Sequence, residues 1–409
     1  LSRSGALHAE LNAAGSGRSY EQDMRRRLRG MGYTVWQAQP AVRQADGGYA
    51  LGVDYWGQDY MTEAVRAALR YAFEELRLQL VTVYHFAYNQ RSRRVIEKAG
   101  FVSEGTLRRA FVRYDGRIFD ECSYSMTRDE WQKAQESRRT MERAIARMSQ
   151  SICDLLEGSM QALYLYGSVT MDDFQPGWSD IDLVCFASSA LAEEQAQKLL
   201  TLRQQLLQQE PGNPYYRSFE GVIVSLAEFL SGHFTRVVYW GTSGQRILSS
   251  CPFDAFARYE LLNTGRLVAG EDIRDQLTPP TYSQLRQEII RHDRAIRSYA
   301  VQTDETLYSC GWLLDIARGI YTLRTGEVIA KTKAGEWALQ QGICPVEKEL
   351  ERALQVRRSP LFYRDQPEVK RWLCTLGPAV QRFADVLEKE IARSQREQPK
   401  GALKSTCCE

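Results

Sequence analysis

Long apolar runs are missing from this chain. None approaches the roughly 18 residues that would span a bilayer. Charge of one sign is missing too: 53 Lys and Arg stand against 51 Asp and Glu, a formal net charge of +2. No global field therefore argues for nucleic acid or for a membrane as partner. Histidine is scarce, and its four scattered residues make no zinc spacing. The nine cysteines are an odd number with no CxxC arrangement, and only Cys407 and Cys408 adjoin. The first fifteen residues, LSRSGALHAELNAAG, lack the apolar core of a secretory signal. These absences set aside a membrane span, a zinc module and a disulfide scaffold, and the expectation is reduced thiols in a cytoplasm.

What is present is ordinary globular material, 44% hydrophobic and 25% charged. At 409 residues the chain is too long for one typical core, and two or three domains are expected. Residues 1 to about 48 are hard to read. From Tyr49 the pattern sharpens. TEAVRAALRYAFEEL has helical spacing, and QLVTVYHFA reads as a strand. SRRVIEKAGF is a short helix ending at Gly100, and IFDECSYSMTRDEW alternates as a last strand. Polar residues 132–140 read as a linker or as the start of the helix MERAIARMSQSICDLLEG. ALYLYGS, DIDLVCFA and FEGVIVS read as strands, with a long helix, LAEEQAQKLLTLRQQLLQQE, before the third. Beyond about residue 270 only helical patterns remain. The fold class expected is α+β: a partial module over 1–131, a mixed-sheet domain over 141–270, a helical domain over 271–400 and a tail over 401–409.

One stretch, YGSVTMDDFQPGWSDIDLVCF, carries chemistry. Residues i and i+2 of a strand share a face, so Asp180 and Asp182 project together while Ile181 enters the core. Two carboxylates this close repel unless a cation sits between them. A hard divalent ion such as Mg²⁺ fits, sharing its shell with substrate phosphates. Gly167 lets backbone approach a phosphate, and Ser168 offers a hydroxyl and an N–H. The set suits in-line attack on a nucleoside triphosphate. Asp172 and Asp173 read as solvated loop residues. A third carboxylate is expected on a neighbouring strand, where Glu220 would take the proton of the attacking hydroxyl; Glu228 competes for the role. Tyr239 and Trp240 are candidates for an apolar wall or for core packing.

The GS…DID stretch, with its flanking helix and strands, resembles the polymerase-β-type nucleotidyltransferase superfamily. ARGIYTLRTGEVIAKTKAGEWAL is similar to the C-terminal helical domain of the streptomycin/spectinomycin adenylyltransferases. The combined likeness covers about 150–395. It implies ATP and Mg²⁺ as cofactors and an aminoglycoside as the small-molecule partner. It implies Asp180 and Asp182 as metal ligands, Gly167 and Ser168 at the phosphates, and Glu220 as the base. Lys331 matches the lysine that reaches the nucleotide phosphates, with Lys333 able to substitute, and Arg318 lies with Glu220 at the substrate. Tyr308 stands where the streptomycin-binding members carry an acid; Asp304, Glu305 and Asp315 are nearby. Upstream, YALGVDYWGQDYMTEAV, NQRSRRVIEKAGF and DGRIFDECSYSM resemble the GCN5-related N-acetyltransferases, of the ribosomal-protein-alanine type. That implies Asn89 and Ser92 near the pantetheine arm. Two departures suggest a degenerate module and leave acetyl-CoA doubtful. Asp59 replaces the usual Gly at the pyrophosphate turn, and the early strands are not recognisable in residues 1–48.

Overall fold

The computed structural model describes residues 37–39, 44–47, 49, 51–56, 60–113, 115–241 and 244–395. Asp59, most of residues 1–48 and the tail lie outside them, so the expectations placed there concern residues beyond the description. The fold is mixed α+β. The chain divides into two compact units at Arg139/Thr140.

The first unit holds a five-stranded sheet of β1 (Gln37–Gln39), β2 (Gln44–Gly47), β3 (Leu80–Phe86), β4 (Val102–Val112) and β5 (Ile118–Thr127). Their order is β1-β2-β3-β5-β4, and only β2 and β3 run parallel. Helix α1 (Tyr60–Arg70) continues into a π-helical turn, Tyr71–Glu75. Its Val65 and Leu69 pack with Phe73, Val81 and Val83. Helix α2 (Gln90–Ala99) opens with Asn89 accepting from Ser92 N at 3.1 Å. It closes at Gly100, whose φ of 95° is a left-handed conformation that glycine adopts freely. β4 escapes a sequence reading because its SEGTLRRA run is polar and exposed.

The last strand of this unit ends earlier than its alternation suggests. Thr127 and Glu130 form a capping box: Glu130 N donates to Thr127 Oγ1 at 3.2 Å, and Thr127 N donates to Glu130 Oε2 at 2.8 Å. That box starts helix α3 (Arg128–Leu156), so residues 132–140 are helical.

The second unit is built on six strands: β6 (Met160–Tyr166), β7 (Ile181–Ala187), β8 (Phe219–Ser225), β9 (Val237–Gly241), β10 (Gly244–Leu248) and β11 (Arg266–Gly270). Their order is β10-β9-β8-β7-β6-β11. Only β7 and β8 run parallel. Alternation divides β7 cleanly. Ile181, Leu183 and Cys185 pack with Ala144, Met148 and Ile152 of α3 and with Leu199, Leu202 and Leu206 of α4 (Glu193–Gln209). Val184 and Phe186 join Val222 and Val224 on the other face. That face is covered by α5 (Leu226–Ser231), by Phe253 and by Leu261 of α6 (Ala255–Thr264).

From Tyr282 onward the described chain is helical. The helices are α7 (Tyr282–Tyr299), α8 (Tyr308–Thr325), α9 (Lys331–Gln340), α10 (Glu347–Arg358), α11 (Pro360–Tyr363), α12 (Pro367–Leu373) and α13 (Gly377–Arg393). α8 is central and packs against α7, α9, α10 and α13. Leu313, Leu314 and Ile320 of α8 are fully buried with Leu350, Leu373 and Phe383. Truncating any of them to Ala would cost roughly 2–5 kcal/mol.

Candidate active site

Asp182 is the second residue of β7. It pairs in register with Tyr166 of β6 on one side and with Glu220 of β8 on the other. Ile181 is fully buried on the opposite face. Strand period thus places Asp182 and Glu220 together on the face away from α3 and α4. Asp180 immediately precedes the strand and is half-buried.

Gly167 follows Tyr166 with φ 70°. A Cβ there would lie 2.2 Å from Asp182 Oδ2, so the Gly turn and the Asp182 carboxylate are in direct contact. Ser168 Oγ donates to the Asp180 carbonyl at 3.4 Å, which ties the turn to the start of β7. Gly221, next to Glu220, has φ 147°, and a Cβ there would meet Leu183 O at 1.8 Å. Only glycine lets β8 approach β7 this closely.

A cavity of about 650 Å³ opens on this face, lined by Asp182, Glu220 and Tyr239, by Asp254 and Glu260 of the α6 region, and by His292, Asp315 and Arg318 of the helices. Tyr239 Oη donates to Glu220 Oε1 at 3.4 Å. Its neighbour Trp240 is a core residue, 1% exposed, and donates its indole N–H to Leu199 O at 3.1 Å. The two candidates therefore separate: Tyr239 faces the cavity and Trp240 does not.

Charges alternate on the helical side, where Asp315 and Arg318 line the cavity and Lys331, outside the lining, pairs with Asp315. Lys331 Nζ is 2.9 Å from Asp315 Oδ1, Arg318 is 4.0 Å from Asp315, and Arg318 Nη1 is 3.1 Å from Glu260 Oε1. The Arg318 guanidinium also lies over Phe256, 5.1 Å from the ring centre. Lys333 is exposed. Tyr308 is 62% exposed. Asp304 accepts from Thr306 N at 2.9 Å. Of the three acids near Tyr308, Asp315 reaches the cavity lining. Glu228, in the first turn of α5, accepts from Thr235 N at 3.0 Å. Glu220, and not Glu228, stands beside Asp182.

The electrostatics follow from crowding. Burial, then the charge of Glu220, pushes the Asp180 carboxyl up to about 7, while Lys331 draws it down. Burial, then Glu260, Asp180 and Glu220, lifts Asp182 well above the usual carboxylate range. Burial also raises Glu260, against the pull of Arg318. Asp315 moves the other way: burial raises it, but Lys331 and Arg318 more than offset that and hold it low. Burial lowers His292.

Among the described residues no group of three or more His, Cys, Asp or Glu side chains is gathered as a metal site. Two carboxylates are enough for Mg²⁺, which completes its shell with water and substrate phosphates. The raised Asp180 and Asp182 carboxyls are a donor set short of positive charge, and such an ion fits them.

Asp173 corrects the sequence reading. It is not solvated: it is 5% exposed and pairs with Arg357 at 2.7 Å. Loop position suggests a wet residue, and its partner lies 184 residues away. No local signal marks it. Glu260 is likewise hidden among ordinary helix acids, whereas Asp315 is one of the three acids that the sequence offers near Tyr308.

Comparison with known proteins agrees with two parts of this description. Residues 12–102 match the acetyltransferase (GNAT) domain family, and residues 282–387 match the aminoglycoside adenylyltransferase C-terminal domain family. The first match begins well before Tyr49, so part of the stretch that resists reading by eye belongs to the matched domain. YdaF of Bacillus subtilis (strain 168), assigned provisionally as a ribosomal N-acetyltransferase, is 32% identical over 125 residues. That alignment covers 31% of this chain and 65% of YdaF. The FsC-acetyl coenzyme A-N(2)-transacetylase of Aspergillus fumigatus is 36% identical over 100 residues, covering 24% of this chain and 41% of that protein. The chain thus spans less than two thirds of either relative. A GNAT-family acetyltransferase structure from Bacillus anthracis aligns at 26% identity and TM-score 0.22, covering 24% of this chain and 57% of that one. No helix among the described residues is long and apolar enough to cross a membrane. One polypeptide thus carries a match to the GNAT acetyltransferase domain over residues 12–102 and a match to the aminoglycoside adenylyltransferase C-terminal domain over residues 282–387.

Proposed function

We propose that residues 141–400 transfer AMP from ATP to a hydroxyl of an aminoglycoside-type antibiotic, of the streptomycin or spectinomycin kind, releasing pyrophosphate and giving resistance in a cytoplasm. One observation carries the reading: Asp182 and Glu220 stand in register beside the Gly167 turn and open on an acid-lined cavity. In this reading 141–270 is the nucleotidyltransferase domain and 271–400 the substrate-binding domain. Residues 1–131 are the GNAT-like module.

Asp180 and Asp182 would hold Mg²⁺, which supplies positive charge against the triphosphate. The Gly167 turn and Ser168 bring backbone N–H groups to the phosphates. Glu220 accepts the proton of the attacking hydroxyl, with Tyr239 fixing its orientation. Lys331 balances charge that builds on the leaving pyrophosphate. Arg318, Glu260 and Asp315 line the acceptor side, where carboxylates suit a polycationic sugar.

The test is mass measurement on a panel of aminoglycosides incubated with the protein, ATP and Mg²⁺. Addition of AMP to a member, lost in Asp180→Asn, is the expected outcome. A folded protein that binds ATP but modifies no member of the panel would overturn the reading.

A second activity is favoured by the GNAT match over residues 12–102. Acetyl-CoA in place of ATP would then give an acetyl mass shift on an amine. Asp59 sets the contrast: if it blocks the pyrophosphate turn, Asp59→Gly gains acetyl-CoA binding that the unaltered chain lacks.

A further inference from the structure

The loop between Gly167 and Asp180 meets the helical part of the second unit at Trp178, at Gly177 and, through a buried ion pair, at Asp173. Asp173 Oδ2 accepts from Arg357 Nη2 at 2.7 Å and from Thr332 N at 3.4 Å. The Asp173 carbonyl accepts a further hydrogen bond from Arg357 Nη2 at 3.3 Å. Arg357 Nε donates to Thr332 Oγ1 at 3.1 Å. The guanidinium also lies over Trp178, 5.3 Å from the ring centre. Both charged side chains are almost wholly buried, 3% exposed for Arg357 and 7% for Asp173.

The position of this cluster gives it meaning. Asp173 N donates to Ser168 O at 3.1 Å, so Asp173 is hydrogen-bonded to the turn that follows Gly167. Thr332 is the second residue of α9, directly after Lys331. The residue preceding α9, Ala330, has no side chain able to cap the helix. Asp173 does that work from another part of the chain, accepting a first-turn N–H where a carboxylate also meets the positive end of the helix. Arg357, from α10, holds the carboxylate and the Thr332 hydroxyl at once through Nη2 and Nε, two donors that the planar guanidinium keeps at a fixed spacing. The Ser168 turn and the Lys331 end of α9 are thus joined through one buried side chain.

We propose that Asp173, Thr332 and Arg357 are positioning residues that set the distance between the Ser168 turn and Lys331, and so the grip on a nucleoside triphosphate, without touching it. This rests on the adenylyl-transfer reading, in which the turn and Lys331 serve the same phosphates. A buried pair of this kind adds little net stability over an apolar alternative, but it fixes geometry. Small displacements of a reacting group are costly, up to roughly 100-fold in rate per ångström.

The experiment measures ATP binding by titration calorimetry with Mg²⁺ present, KM for ATP, KM for the acceptor and kcat, each on the full chain. Arg357→Lys keeps the charge and loses the fork. Thr332→Val removes the acceptor of Arg357 Nε and leaves the ion pair. Asp173→Asn removes the charge and, by leaving Arg357 buried without its partner, is the variant at greatest risk of unfolding. The result expected is a rise of about tenfold in the ATP Kd and KM for Arg357→Lys, with a smaller rise for Thr332→Val. The acceptor KM stays unchanged in both. A merely structural pair would lower the melting temperature and leave both KM values alone, or move them together. Either pattern overturns the inference. A wild-type chain that binds no ATP defeats the adenylyl-transfer reading, and this inference with it. A wild-type chain that binds ATP, with Arg357→Lys binding it equally well, defeats the inference alone.

Discussion

Asp182 and Glu220 stand side by side in the register of the two parallel strands, and both face the cavity. Asp182 has no basic side chain as a register neighbour in the sheet, since it is flanked by Tyr166 and Glu220. Burial, then the charges of Glu260, Asp180 and Glu220, holds the Asp182 carboxyl well above the usual carboxylate range. Replacing it with Asn should end AMP transfer, by at least about 100-fold, because a neutral amide offers a cation far less. The same change should leave the melting temperature equal or higher, since it removes a crowded acid. Product mass and a thermal melt check both; a variant that melts lower and still transfers AMP contradicts the assignment.

The Asp180 carboxyl gives a pH signature. Its folded value is raised to about 7, by burial first and then by Glu220. A carboxyl raised in the folded state contributes stability that is complete below its unfolded value, near about 4. That contribution is lost as pH rises through the folded value. Metal-free protein should therefore melt lower at about pH 8 than at about pH 5 through this group, and Mg²⁺ should restore the loss. Asp180→Asn should flatten the profile. If wild type and variant give the same profile with and without Mg²⁺, Asp180 is not the source.

Gly167 admits no side chain. Its positive φ and the 2.2 Å approach to Asp182 Oδ2 act together. Gly167→Ala should cost roughly 1–3 kcal/mol of stability and also displace the Asp182 carboxylate. Denaturant unfolding and kcat measure the two parts. An alanine variant with unaltered kcat would mean that Asp182 has room to move without consequence.

Arg318 and Glu260 form a largely buried pair at 3.1 Å, with side chains 16% and 9% exposed. Arg318→Ala leaves Glu260 in low-dielectric surroundings, at a cost of about 3–5 kcal/mol if the carboxylate stays charged. Glu260 is already raised by burial, so it should take up a proton and blunt that cost at acid pH. Arg318→Ala should thus be most destabilised at alkaline pH, which urea unfolding across pH would read. A pH-independent loss would point to packing against Phe256 instead.

Sequence made the site legible in proportion to how local its signals are. Period-two alternation in DIDLVCFA turns Asp182 away from Ile181, because a half-buried strand must obey it, and FEGVIVS reads as the neighbouring strand that carries Glu220. The Gly100 stop and the helices after Tyr282 were readable for the same reason. β4 was not, because its exposed polar residues carry no burial pattern. Asp173 was misread as solvated, since nothing near it in the chain foretells Arg357. Trp240 and Tyr239 are adjacent and opposite, so only the strand's phase, hidden in VVYWG, separates wall from core.

The alternation of β7 also limits where the chain can change length. One residue inserted among 181–187 would turn every later side chain over, sending Val184 and Phe186 toward α3 and α4. Insertions between Gly167 and Asp180 escape that inversion, but Asp173 is fastened within this span. Gly177 lies against Leu361 and Trp178 packs on the helical core, so length can vary in the loop only while Asp173, Gly177 and Trp178 keep their places. Homologous chains aligned across this stretch should show gaps on one side or the other of that aspartate, and none within the strand.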